Sequence, residues 1–341
     1  MAMWAKIKSV FKAVGSFFSG GGSVSDPPTQ TPPGETPEPI DPIVNVPPPV
    51  AGVVDWLEWT KQAMLYSGAF EGKGEDWGNP VGNFDGAYLT CGLLGFTWKY
   101  NNQPPMILEF VKRYGVKRAK ELMPRCWDDY YRAAKLGVSG GASIVSRWSS
   151  GSDNDERVYE PYRSELLAFW SSPEMRPIQI EKAWDMMGAW AKEKALVAQA
   201  YWNLPAPLFQ HFEYYFDQAV LNGQGGYVKL KDAAAVSDTK VLSFCGSKSG
   251  YTVNDLRRNG RLWPSVIIEA DSHEVVLWKG AYLRSLQSRN EFQPVTMNRR
   301  GTLALGKGWV NGTLRNYFWL GKDPEPAKPA VRAALEIMNK Q

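Results

Sequence analysis

The sequence predicts a mainly α-helical domain over residues 51–341, with two lobes around a substrate groove as its simplest architecture. Three observations lead there. Apolar side chains recur at helical spacing from about residue 51 onward. Prolines and glycines fall where helices start and stop. The chain carries no βαβ periodicity, no phosphate-binding glycine loop and no internal repeat.

Residues 1–22 read as a cationic amphipathic helix. Trp4, Ile7, Val10, Phe11, Val14 and Phe18 share one face, with Lys6, Lys8 and Lys12 at its margins or beyond. Such a helix suits an anionic membrane interface, and it suits docking on the domain or on a partner protein equally well. The lysines interrupt any apolar run and no convincing cleavage site follows, so it is a poor signal peptide. It is also too short and too charged to span a bilayer. Gly20, Gly21 and Gly22 end it, and residues 23–50 then carry ten prolines, which predict an extended, semi-rigid linker.

Within the domain, Val53, Trp56, Leu57, Met64 and Leu65 place a first helix. Pro104 and Pro105 open a second through MILEFVKRYG. Helical character continues over 117–136 and 158–170, divided by a loop at GVSGG and by the polar stretch SSGSDNDER. Residues 178–201 predict a long helix whose aromatic stripe, with Trp184 and Trp190, belongs to the core. A further helix over 209–226 leaves through glycines, and its His211 reads as a packed or surface residue rather than a base. Residues 227–268 read as short helices and loops, and HEVVLW at 273–278 as a strand or the buried start of a helix toward Leu286.

The composition bounds the chemistry. The 341 residues suffice for a substantial core, and the fifteen Trp, fifteen Tyr and fourteen Phe exceed what a core needs, which suits a groove that stacks on flat ligands such as sugar rings. A net charge of +4 with no dense basic tract argues against nucleic acid as a partner. Cys91, Cys126 and Cys245 are too scattered for a zinc site or a disulfide framework, and His211 and His273 are the only histidines. No metal and no cofactor is expected.

The chemically suggestive stretch is EGKGEDWGNPVGNFD, in which Glu71 and Asp85 bracket a Gly-rich segment followed by GAYLTCGLLGF. Two carboxylates held by turn-prone backbone suit acid/base cleavage of a glycosidic bond, and a polar surface loop has the same spacing. Glu75 and Asp76 are rival carboxylates in that loop. Thr90 suits a cap for the following helix, Gly92 and Gly95 suit tight turns, and Trp77, Tyr88 and Trp98 are candidates for stacking on saccharide.

The run from Asp85 and Gly86 through Thr90, Gly92, Gly95 and Phe96, with Phe70-Glu71 closing a helix upstream, resembles the chitosanase family of the lysozyme-like superfamily, glycoside hydrolase family 46. A looser match is Phe216-Asp217-x-Ala219 followed by Gly223. The resemblance rests chiefly on residues 69–98 and extends weakly over 51–226. It implies a lysozyme-like, chitosanase-like fold, Glu71 as general acid, Asp85 as general base, Thr90 positioning the attacking water, and inversion at the anomeric carbon. The interval between the acids is shorter than in typical chitosanases, and the tail and linker look more like a bacteriophage-type cell-wall hydrolase. The implied substrate is bacterial peptidoglycan, with a glucosamine polymer or a non-enzymatic virion or assembly role as alternatives. In that setting Arg284, Arg289, Arg299 and Arg300 are expected either at the groove, binding lactyl or peptide carboxylates, or on a solvated basic face.

Overall fold

The computed structural model describes residues 54–70, 77–83, 86–149, 157–247 and 253–316. The amphipathic segment 1–22 and the linker 23–50 lie outside the described residues. The fold is mainly α, as expected.

Helix α1, Trp56–Phe70, runs into the Glu71 segment, and Asp55 caps its start by accepting from the Leu57 and Glu58 amides at 3.0 Å. Two short strands follow, β1 (Thr90–Cys91) and β2 (Phe96–Thr97), paired antiparallel with Thr90 opposite Thr97. Helix α2, Gln103–Leu122, begins with the expected Pro104-Pro105 and breaks its helical geometry at Gly115. Helix α3, Trp127–Val145, takes in the GVSGG stretch. The loop expected there is instead a single non-helical residue, Gly137, within one helix. Helix α4 is Tyr162–Trp170, and α5 (Met175–Ala183) continues through a π-helical turn at Trp184–Gly188 into α6, Ala189–Tyr201.

Helix α7, Phe209–Asn222, is buried along its whole length and stops at Gly223 with φ 70°. After α8 (Leu230–Ala234) and α9 (Asp238–Ser247) comes α10, Val253–Glu269, longer than the short helices expected there. Helix α11, Ser272–Leu286, starts on a capping box between Asp271 and Glu274 and contains HEVVLW, so that segment is helical. Helix α12, Gln293–Leu305, leads into a hairpin of β3 (Lys307–Val310) and β4 (Thr313–Asn316). Val310 pairs with Thr313, which leaves Asn311-Gly312 as a two-residue turn with φ 54° and 75°.

The helices fall into two clusters, α2 with α3, α4 and α5, and α7 with α11, α12 and the second hairpin. Helix α1 touches both, packing on α5 and on α7. Phe70 at that end is 1% exposed.

Candidate functional site

Glu71, Glu75, Asp76 and Asp85 lie outside the described residues, and the segments that border them are described. On the Glu71 side the last carbonyls of α1 have no partner within the helix. Side chains from more than two hundred residues later supply them. Asn311 donates through Nδ2 to the Phe70 carbonyl at 2.7 Å, Arg315 through Nη2 to the Ala69 carbonyl at 3.4 Å, and Arg299 through Nη2 to the Ser67 carbonyl at 3.5 Å. The Arg299 guanidinium also lies over the Phe70 ring, 4.9 Å from its centroid. The turn that presents Asn311 is itself fastened from α10. Asp255 accepts from the Gly312 amide at 2.7 Å, and Asn259 accepts from the Trp309 amide at 2.6 Å.

Arg299 is oriented by Asp217 of α7, to which it donates through Nε at 2.8 Å and Nη2 at 2.6 Å. Ser67 of α1 donates to the same Asp217 Oδ1 at 3.0 Å. Asp217 is 0% and Arg299 4% exposed, so the pair is desolvated and depends on this geometry to offset its burial. One turn back on α7, Glu213 is equally buried, and its carboxyl is pushed well above the usual carboxylate range by desolvation and then by the neighbouring Asp217 charge. Burial thus favours the protonated form of Glu213 beside the Asp217–Arg299 pair.

The Asp85 side is built from neutral groups. Asn83 accepts from the Tyr88 amide through Oδ1 at 2.8 Å, closing the chain on either side of Asp85. The Asn83 amide donates to Ser149 Oγ at 3.0 Å. Val81 and Thr90 exchange backbone hydrogen bonds of 2.8 and 2.9 Å. The turn from β1 to β2 needs Gly92 and Gly95, whose φ angles are 89° and 67°. At Gly92 a Cβ would meet Gln179 Oε1 and Phe96 Cδ2 at 2.8 Å. Gln179 donates to the Trp77 and Trp170 carbonyls at 3.1 and 2.7 Å and accepts from the Leu93 amide at 3.1 Å. Gln103 donates to the Leu89 and Phe96 carbonyls at 2.9 and 2.7 Å and accepts from the Tyr130 hydroxyl at 2.9 Å. Gly92, Gly95 and Phe96 thus have a structural reason to occur in that order, with Phe96 stacked on Trp170.

Thr90 lies half-buried in β1, at no helix start, which removes the capping role considered for it. Tyr88 is half-buried with φ 69°. Two of the aromatic expectations need correction. Trp98 is 0% exposed and donates through Nε1 to the Val138 carbonyl, and Trp77 is 6% exposed with the Arg176 guanidinium over its ring. Both rings fill the core and offer no open face for a sugar. Arg284 is corrected likewise. It is buried, donating to Gln287 Oε1 at 3.0 Å, while Arg289 is exposed just before α12. Arg299 and Arg300 are buried too, so the basic stretch is largely interior. Burial of long cationic side chains is uncommon without a partner or an aromatic face.

Sequence reasoning missed Gln103, Gln179, Asn311 and Arg315 as positioning residues. Asn311-Gly312 between alternating apolar residues is a legible hairpin signal, whereas nothing local marks the two glutamines or Arg315. Among the described residues no His, Cys, Asp and Glu group could hold a metal ion, and no helix is long and apolar enough to cross a membrane. No protein-family model, no curated protein and no solved structure matches the chain.

Proposed function

We propose that this chain is an endo-acting glycoside hydrolase that cleaves bacterial peptidoglycan with inversion. Glu71 delivers a proton to the leaving oxygen while Asp85 takes one from the attacking water. The observation that carries the reading is the double anchoring. The helix end before Glu71 is held by Asn311 and the buried Arg299 from far along the chain, and the residues on either side of Asp85 are joined by Asn83, with the β1–β2 turn beyond them tied to the buried Gln179. An inverting pair must hold its carboxyl groups roughly 6.5–9.5 Å apart with room for water, which demands such rigid supports on both sides.

The surroundings suit the two roles. Glu71 follows the buried Phe70 in sequence and takes the role of the protonated acid, and Asp217 offsets the Arg299 charge that holds the preceding helix end. Asp85 takes the role of the ionised base, and the described residues on either side of it are joined by the neutral hydrogen bond from the Tyr88 amide to Asn83. Thr90, fixed in β1 next to that turn, positions the water. The protein is read as a bacteriophage-type cell-wall hydrolase with a two-lobed lysozyme-like domain. Its linker 23–50 lets residues 1–22 engage an anionic membrane. The test is incubation of the purified full chain with peptidoglycan sacculi and with chitosan, with new reducing ends read out. Release from sacculi alone, lost in Glu71→Gln, supports the proposal. Release from chitosan alone makes it a chitosanase, and no release from any glycan makes it a virion or assembly protein.

A further inference from the structure

A second row of α7, distinct from the one that carries Glu213 and Asp217, holds Tyr214 and Gln218 one turn apart. Facing it are two buried cations, Arg284 of α11 at 5% and Arg300 of α12 at 1% exposure. No carboxylate among the described residues forms an ion pair with either guanidinium, in contrast to Arg299 next door. The Arg300 guanidinium lies 4.1 Å from the centroid of the Tyr214 ring, yet its Nε and Nη1 have no hydrogen-bond acceptor. Gln218 Nε2 is a third buried donor without an acceptor, and Arg284 Nε a fourth. The Tyr214 hydroxyl is already committed, donating to the Leu277 carbonyl at 2.9 Å.

Arg300 and Gln218 both line a cavity of about 10 Å³, together with Tyr215, Leu230, Val276 and Leu277. That is room for one small occupant, a water or a monatomic ion. Buried donors left without an acceptor are costly, and more so where the group is charged. A water could accept two of these bonds but would leave the charge uncompensated. A cation is excluded by the two guanidiniums, and a carboxylate, phosphate or sulfate by the size. Burial, followed by the neighbouring Arg300 charge, pushes the Arg284 pKa down to about 10, as expected where positive charge accumulates without a counter-ion.

We propose that this cavity between α7, α8, α11 and α12 is a binding site for a single halide ion of chloride size, held by Arg300 and Gln218. The ion neutralises the buried Arg300 and locks α11 and α12 onto α7. It is independent of the glycosidase reading. The probe is bromide. Anomalous diffraction from crystals of the full chain soaked in sodium bromide is expected to place a peak between the Arg300 guanidinium and Gln218 Nε2. In solution, thermal unfolding at constant ionic strength is expected to show a Tm ~3–5 °C higher in chloride than in gluconate, saturating with concentration as mass action requires. Arg300→Gln should remove that chloride-dependent difference. Gln218→Leu, which keeps both charges, should weaken the apparent halide affinity several-fold and serves if Arg300→Gln does not fold. An ordered water without anomalous signal, equal Tm in the two salts, or a chloride response that survives both substitutions overturns the proposal.

Discussion

The two segments that flank the proposed catalytic pair are held by opposite kinds of chemistry. The segment after Asp85, from Leu89 through the β1–β2 turn, is lashed by the neutral amides of Gln103 and Gln179, which serve its backbone groups and the Trp77 carbonyl. The helix end before Glu71 is held by charge, with Arg299 paired to Asp217, and by the distant Asn311 and Arg315. Neutral supports hold geometry without imposing a field, which suits a carboxylate that must stay ionised and exchange protons with water. A compensated ion pair holds geometry firmly while adding little net charge. Separate acid and base roles call for two supports that differ in this way.

Substituting the acids themselves should have the largest effect. Glu71→Gln or Asp85→Asn is expected to lower kcat on sacculi by about 10²–10⁴ with Tm unchanged, since general acid–base catalysis contributes on that order. Near-normal turnover in either variant, with the fold intact, removes that residue from the mechanism. Breaking the charged support comes next. Arg299→Met strands Asp217 in the core, and its unfolding free energy by denaturant titration should fall by about 3–5 kcal/mol. Breaking the neutral support with Gln179→Leu leaves the Trp77 and Trp170 carbonyls and the Leu93 amide unpartnered, a loss of roughly 2–4 kcal/mol in the same assay.

A smaller change separates support from stability. Asn311→Gly keeps the positive φ of the turn and removes only the amide that holds the Phe70 carbonyl. It should cost about 1 kcal/mol and lower kcat several-fold. Unchanged kcat would mean that this contact does not position Glu71.

The finest distinction is in pH. The carboxyl of Glu213 is raised above its ordinary 4.5, so its contribution to stability is complete below that value and is lost as pH rises toward the folded pKa. Glu213→Gln should therefore be more stable than wild type at pH 8, with the difference closing toward pH 4.5, while the Gln179→Leu deficit stays flat with pH. His211 has the opposite sign. Burial and the facing His273 push it down to about 3, so its contribution is complete above 6.5 and falls as pH drops from there toward 3. His211→Gln should flatten that limb of the stability–pH curve.

What was legible in the sequence follows the same division. Helical periodicity placed α1, α2, α4 and the run of α5 and α6, and α7 was legible from its aromatic run and its glycine exit although it is buried on all sides. The glycines after Asp85 were legible as turns because the motif is local. GVSGG misled because one residue with positive φ can break a helix geometry without ending the element. The charged support was illegible because its partners come from α1, α7 and α12, and only packing brings them together. Trp77, Trp98 and Arg284 were misread for a related reason. Residue type suggested sugars and anions, and only the fold shows that their side chains face inward.

The central claim is that Glu71 and Asp85 act as an inverting pair on peptidoglycan. It is tested most directly by time-resolved NMR and mass spectrometry of the fragments released from purified sacculi. The account predicts new reducing-end sugars that appear first as the inverted anomer, with wild type active and Glu71→Gln and Asp85→Asn silent. Fragments without a new reducing end, first products of retained configuration, or release by either variant equal to that of wild type would contradict it.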